Sequence, residues 1–166
     1  MRYHEEEHPN QRTLCMALYM ITAAGGISQM FNEAIVTCIV LMVIVWFILK
    51  IQQTAAKGTI YASHAEWIAR TISIAGTVLF PIALIVAAFI LWRTLDIATL
   101  KKNLADENPE IAMHAVQNFM DANSDRILHV SDRACLPPTI WWVWRCVTGF
   151  WRAKNSVAID YPRSWV

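Results

Sequence analysis

The uncharged run from Thr71 to Trp92 (TISIAGTVLFPIALIVAAFILW) limits the folds open to this chain more than any other feature. A helix rises about 1.5 Å per residue, so this run would cover the ~30 Å hydrocarbon thickness of a bilayer. The hydrophobic fraction of 56% and the eight tryptophans also fit a chain that lies partly in lipid. We therefore expect an integral membrane protein.

Three further apolar runs complete the predicted bundle. They are Thr13 to Phe31, Ala34 to Leu49, and the tryptophan-rich stretch from Cys135 to Trp151, which contains Arg145. Together they predict an all-α integral membrane bundle of about four helices, with a partly helical insertion between helices three and four. Two alternatives stay open: the first run as a cleaved signal peptide, and the last run lying flat on the membrane surface.

The predicted organisation has four parts: a polar tail (1–12), membrane helices one to three (13–94), an extramembrane insertion (95–134), and a Trp-rich fourth helix with its tail (135–166). Within the insertion, Asn108-Pro109-Glu110 is typical of a helix start, with proline at the first helical position. A second short amphipathic piece is predicted over 124–130.

The distribution of positive charge predicts the orientation. Four crossings would place most basic residues outside the insertion on one side, and basic residues favour the cytoplasmic side. Both termini are then expected to be cytoplasmic. The formal net charge of +1 gives no field that would attract nucleic acid. The basic residues concerned are Arg2, Arg12, Lys50, Lys57, Arg152, Lys154 and Arg163.

Ser63-His64-Ala65-Glu66 predicts a capping box that begins the third helix. His64, Trp67, and either Arg70 or Thr71 would then follow one helical face. One interpretation is an interfacial anchor, with Trp67 and Arg70 at headgroup level. The other is a polar entrance to the bundle, where His64 and Arg70 contact a substrate, a lipid phosphate or a partner.

The stretch from Gly58 to Thr71 resembles the G-T-x-x-x-S-H-x-x-W-x-x-R-T signature of a family of small uncharacterised bacterial membrane proteins. That family is distantly similar to the small four-helix component of the chloroplast inner-envelope protein-import translocon. Trp144-Arg145 with Gly149 and Arg152 is similar to the end of the last family helix. The resemblance implies a four-helix fold with cytoplasmic termini, and it supplies no reaction.

This sequence departs from the family pattern in two ways. Ile68 stands where the family usually has glutamine, and Ile72 and Ser73 stand where aromatic residues usually follow the threonine. The segment between helices three and four is also longer than a short turn. We therefore expect a specialised version of the family, with the insertion as its new part.

No motif in the sequence predicts catalysis, a cofactor or a metal centre. His4-Glu5-Glu6-Glu7-His8 satisfies H-E-x-x-H, but Pro9 follows at once and no buried helix would hold the motif. The four cysteines form no C-x-x-C pair and are interpreted as small apolar residues. We therefore expect no enzymatic activity.

The preferred functional hypothesis is a subunit that docks on a larger membrane protein complex. Phospholipid is a second expected partner, nucleic acid is not expected, and homo-oligomers are left open. One alternative is a small channel or translocation component, in which Arg145 would line a wet cavity opposite Gln29, Thr37 or Thr77; a lesser one is a membrane immunity protein. The candidate contact residues are Ser63, His64, Trp67, Arg70, Thr71, Trp141, Trp142, Trp144, Arg145, Gly149 and Arg152.

Overall fold

The protein is all-helical in its computed structural model, which describes residues 9–28, 35–104 and 109–161. No strand element occurs in these three ranges, so the all-α prediction is confirmed for them. The helices are α1 (Pro9–Ser28), α2 (Ile35–Ala55), α3 (Ile60–Ile74), α4 (Phe80–Thr94), α5 (Ile97–Leu104) and α6 (Pro109–Lys154).

A π-helical segment, Ala75–Leu79, joins α3 and α4 into one helical run from Ile60 to Thr94. The amide of Phe80 donates to the carbonyl of Ala75, five residues back. Pro81 follows with no N–H to give, and the wider π turn accommodates this break in the hydrogen-bond ladder. Among the described residues, this run of 35 residues is the one helix long and apolar enough to cross a bilayer.

The chain divides into two compact units, Met1–Phe80 with Pro137–Val166, and Pro81–Leu136. In the first unit, α1, α2 and α3 pack on one another and on the end of α6, around a core that includes Leu18, Leu49, Ile68 and Trp142. The second unit begins within the predicted third membrane helix, upstream of the predicted insertion.

Inside the second unit, Arg126 of α6 donates a hydrogen bond of 2.9 Å to the carbonyl of Thr94 at the end of α4. This bond satisfies one of the carbonyls that a helix leaves without a partner at its last turn.

The predicted helix start at Pro109 is confirmed, because α6 begins there; Asn108 lies outside the described residues. The predicted piece over 124–130 and the predicted fourth helix over 135–151 are not separate. α6 instead runs unbroken for 46 residues through Pro137 and Pro138. Each proline removes an amide donor, and its ring crowds the carbonyl four residues back. Pro138 and Thr139 are buried.

The predicted capping box is also wrong. α3 begins at Ile60, with Thr59 as the N-cap residue in an extended conformation. Gly58 precedes it at φ 91°, a left-handed conformation that favours glycine, and this turn fixes the helix start upstream of Ser63. The Ser63 hydroxyl therefore lies inside the first turns of the helix, where it donates a hydrogen bond of 2.7 Å to the carbonyl of Ile60.

Candidate functional site

One buried face of α3 carries four of the candidate residues: Ser63, His64, Trp67 and Thr71. Trp67 follows Ser63 by four residues and His64 by three, and Thr71 follows Trp67 by four, so all four lie on one side of the helix over neighbouring turns. This face meets α1 and the end of α6, so the two stretches that carry the family resemblance come together although about 80 residues separate them along the chain.

His64 is fully buried, with 0% of its surface exposed, and both of its ring nitrogens are engaged. Nε2 lies 2.9 Å from the carbonyl of Val157, and Nδ1 lies 2.9 Å from the Tyr19 hydroxyl. A carbonyl can only accept, so Nε2 carries the hydrogen; in the neutral ring Nδ1 then accepts from Tyr19. His64 thus joins α1, α3 and the segment after α6.

Ser63 binds the same segment two residues further along the chain, at Ile159. The amide of Ile159 donates to the Ser63 hydroxyl oxygen at 3.0 Å. The chain reaches this position through Ser156, which has a positive φ of 52° just beyond the end of α6. Residues Val157 to Ile159 therefore return along α3 and satisfy two of its buried polar side chains.

Arg145 lies inside the first unit with 1% of its surface exposed. Its Nε donates to the Thr71 hydroxyl at 3.0 Å, and its guanidinium carbon lies 3.5 Å from the centre of the Trp67 ring. In return, Trp67 Nε1 donates to the main-chain carbonyl of Arg145 at 3.1 Å. The Trp141 ring centre lies 5.1 Å from the same guanidinium. Hydrogen bonding and cation–π attraction together fix the orientation of this charge.

Two glycines allow the helices of this unit to approach closely. A Cβ added at Gly149 of α6 would collide with the ring and hydroxyl of Tyr19, and one added at Gly26 of α1 would lie 2.8 Å from Trp142 Cδ1. Trp142 also donates from Nε1 to the carbonyl of Thr22 at 2.9 Å. The glycine in the predicted contact set thus makes room for an aromatic side chain of the same chain.

The remaining candidates face outward. Arg70 is exposed, and Trp144 is 68% exposed. Arg152 is half-buried and forms a long ion pair of 3.5 Å with Asp160. Trp144, Arg145 and Arg152 line a cleft of about 270 Å³ beside the end of α6. Among the predicted contact residues, Arg70 and Trp144 are thus exposed and Arg152 is partly exposed.

For Arg145, the docking hypothesis predicts an acid or carbonyl partner, and the channel hypothesis predicts a cavity shared with Gln29, Thr37 or Thr77. Two contacts of its side chain are a hydroxyl at Nε and an aromatic face beside the guanidinium. Both expectations stay predictions. Thr77 is exposed in the π segment, while Gln29 and the Thr37 side chain lie outside the described part of the chain.

Sequence reasoning missed the α1 side of this site. Tyr19 and Thr22 supply a hydroxyl and a carbonyl to it, and Gly26 supplies space. The signal was their spacing, since Cys15, Tyr19, Thr22 and Gly26 recur every three to four residues and so share one helical face. The contributions of residues 157–159 are made by backbone groups, which no side-chain motif reveals.

No group of three or more histidine, cysteine or acidic residues that could hold a metal ion occurs among the described residues. Cys15 and Cys146 are buried free thiols, and Cys135 is a half-buried one. The His4–His8 motif and the Cys38 side chain lie outside the described residues. Within its described part, the site is a set of internal contacts between helices.

Comparison with protein-family models, curated proteins and solved structures gives no match to this chain. The resemblance drawn from the two short stretches therefore stays a prediction, and the functional argument depends on the geometry.

Proposed function

We propose that this protein is a non-enzymatic integral membrane subunit that docks on, and stabilises or modulates, a larger complex in the bacterial inner membrane. The observation that carries the proposal is that the polar side-chain atoms of the motif residues point into the protein. His64, Ser63, Thr71 and Trp67 use their polar atoms on groups of the chain itself. Such a site holds helices together and leaves the outer faces to meet lipid and partner.

The outer faces support a membrane setting. Along α2 and α4, large aliphatic and aromatic side chains are exposed, including Ile39, Phe47, Ile85 and Phe89. In the most apolar window of the 60–94 run, 22% of the residues are buried. The core helix of a soluble protein would be mostly buried, whereas exposed apolar surface on this scale is suited to lipid.

The predicted orientation is supported by basic residues gathered at one end of the first unit. Arg12, near the start of α1, donates a hydrogen bond to the carbonyl of Lys154 at the end of α6. The start of α1, the end of α2 and the start of α3 also meet there, around Gln11, Gln52 and Tyr61. We propose that this end faces the cytoplasm, as the positive-inside rule favours.

The proposal is tested by expressing the tagged chain at a low level, separating membranes, washing them with carbonate, and purifying the protein in mild detergent. Retention in washed membranes and recovery within one larger complex of fixed stoichiometry would support it. Recovery from the soluble fraction would refute the membrane setting. Recovery from membranes as a single species without partners would refute docking.

Arg145→Leu separates the docking proposal from the channel alternative. If Arg145 serves assembly, this change should lower the amount of complex, because it removes the bond to Thr71 and the stacking on Trp67. In a conducting bundle, the variant should assemble normally and change ion flux in liposomes. Normal assembly with altered flux would therefore favour the channel.

A further inference from the structure

The cleft beside the end of α6 has the chemistry of an anion site. Its walls include the side chains of Arg145, Arg152, Thr148 and Asp160. Among the described residues, two guanidinium groups and two hydroxyls, of Thr148 and Tyr161, thus line the cleft with a single carboxylate, which leaves an excess of positive charge. Its volume of about 270 Å³ is enough for a phosphate group and its substituents.

The two arginines are held differently. Arg145 is fixed by the Thr71 hydroxyl and the Trp67 ring, so its charge is already positioned at the cleft wall. Among the described residues, the side-chain contacts of Arg152 are long, at 3.5 Å to Asp160 and to the carbonyl of Ala158. An incoming anion can therefore take the Arg152 guanidinium at the expense of a weak ion pair. A fixed charge beside a movable one is well suited to binding a phosphate, which offers several acceptor oxygens.

We propose that this cleft binds a phosphate group, carried by an anionic phospholipid headgroup or free in solution. The lipid source rests on the membrane setting proposed above. It is favoured by the aromatic rim of the cleft, where Trp144 and Tyr161 are 68% and 78% exposed. Tryptophan and tyrosine concentrate at the level of lipid headgroups, with the ring in the apolar zone and the polar atom in the wet one.

The test is a titration of the full-length, delipidated protein in neutral detergent, read out by calorimetry. The probes are short-chain phosphatidylglycerol, short-chain phosphatidylcholine and inorganic phosphate. Arg152→Gln removes the movable charge, and Asp160→Asn removes the carboxylate that competes for it. Lys154→Gln is the matched control, because its exposed ammonium lies 4.9 Å from the Trp151 ring, outside the cleft lining.

We expect Arg152→Gln to weaken binding of the anionic probe roughly tenfold, as the loss of one charge-assisted hydrogen bond predicts. Asp160→Asn should strengthen binding roughly threefold, and Lys154→Gln should leave it unchanged. Tighter binding of phosphatidylglycerol than of inorganic phosphate identifies a lipid source, and the reverse order identifies a free anion; either supports the proposal when the Arg152 and Asp160 variants change the affinity as expected. Phosphatidylcholine, which has no net charge, measures the contribution of the acyl chains.

Three results would overturn the proposal: equal losses in the Arg152 and Lys154 variants, weaker binding by Asp160→Asn, or no saturable binding of either anionic probe. The Asp160 variant keeps the test decisive even if the Arg152 variant unfolds, because removing a competing acid should strengthen binding. A protein that stays in washed membranes yet fails these tests refutes the cleft alone. A soluble protein that passes them with inorganic phosphate refutes the membrane setting alone.

Discussion

Replacement of Gly149 by alanine should destabilise the first unit. The new Cβ would collide with the Tyr19 ring, which is 1% exposed and bonded to His64, so the ring cannot move aside freely. Overpacking costs about 1–3 kcal/mol, and loss of the buried Tyr19–His64 bond adds about 1–3 kcal/mol. Alanine has a higher helix propensity than glycine, which offsets about 1 kcal/mol of this loss of stability. The net loss is about 3 kcal/mol, which corresponds to a fall in Tm of roughly 6–12 °C.

The assay is thermal unfolding of the purified protein in detergent, followed by circular dichroism. Gly76→Ala is the matched control, because nothing lies within 4 Å of a Cβ added at that exposed position. It should raise the Tm slightly or leave it unchanged. A Tm for Gly149→Ala equal to or above that of the control would refute the close approach of α6 to Tyr19. In a Tyr19→Phe background, the loss from Gly149→Ala should shrink by about 1 kcal/mol, since the hydrogen bond is already absent.

Three further substitutions test other contacts of the site. Ser63→Ala should release the amide of Ile159 and lower the stability by about 1 kcal/mol, and hydrogen exchange at that amide should become faster than in the parent protein. Arg145→Lys keeps the charge but loses the bond to Thr71 and the planar stacking, so chemical denaturation should show a loss of about 2 kcal/mol; an unchanged midpoint would contradict the geometry. Trp142→Phe removes a donor to a main-chain carbonyl of α1 and leaves space beside it, and the Tm should fall by an amount corresponding to about 2 kcal/mol.

The sequence predicted those parts of the fold that local signals determine. The apolar run ending near Trp92 and the proline at the start of α6 both lie where helices were expected. Apolar periodicity and a proline at the first helical position act over one or two turns, so they can be read without knowing the neighbours. The errors came from signals that tertiary contacts override. The apolar run beginning at Cys135 suggested a separate fourth helix, and Ser63 with Glu66 suggested a cap.

Several residues of the candidate site were predicted from the sequence, but the groups that they contact were not. Ser63, His64 and Arg145 were all selected from the sequence, but their partners were not. His64 binds the carbonyl of Val157, which any residue could offer, and Ser63 binds the amide of Ile159, which any residue except proline could offer. These partners lie 93 and 96 residues apart along the chain, so their contact depends on how the helices pack. A single sequence contains no local sign of such packing.

The return of residues 157–159 onto α3 has a consequence for biosynthesis. Val157 follows His64 by 93 residues, and Ile159 follows Ser63 by 96. At about 5–20 residues per second, the ribosome needs roughly 5–20 s to make the intervening chain. During that interval α3 has already been made, while two of its polar side chains await their final partners. The nascent protein therefore passes through a stage in which water or other groups must solvate His64 and the Ser63 hydroxyl oxygen.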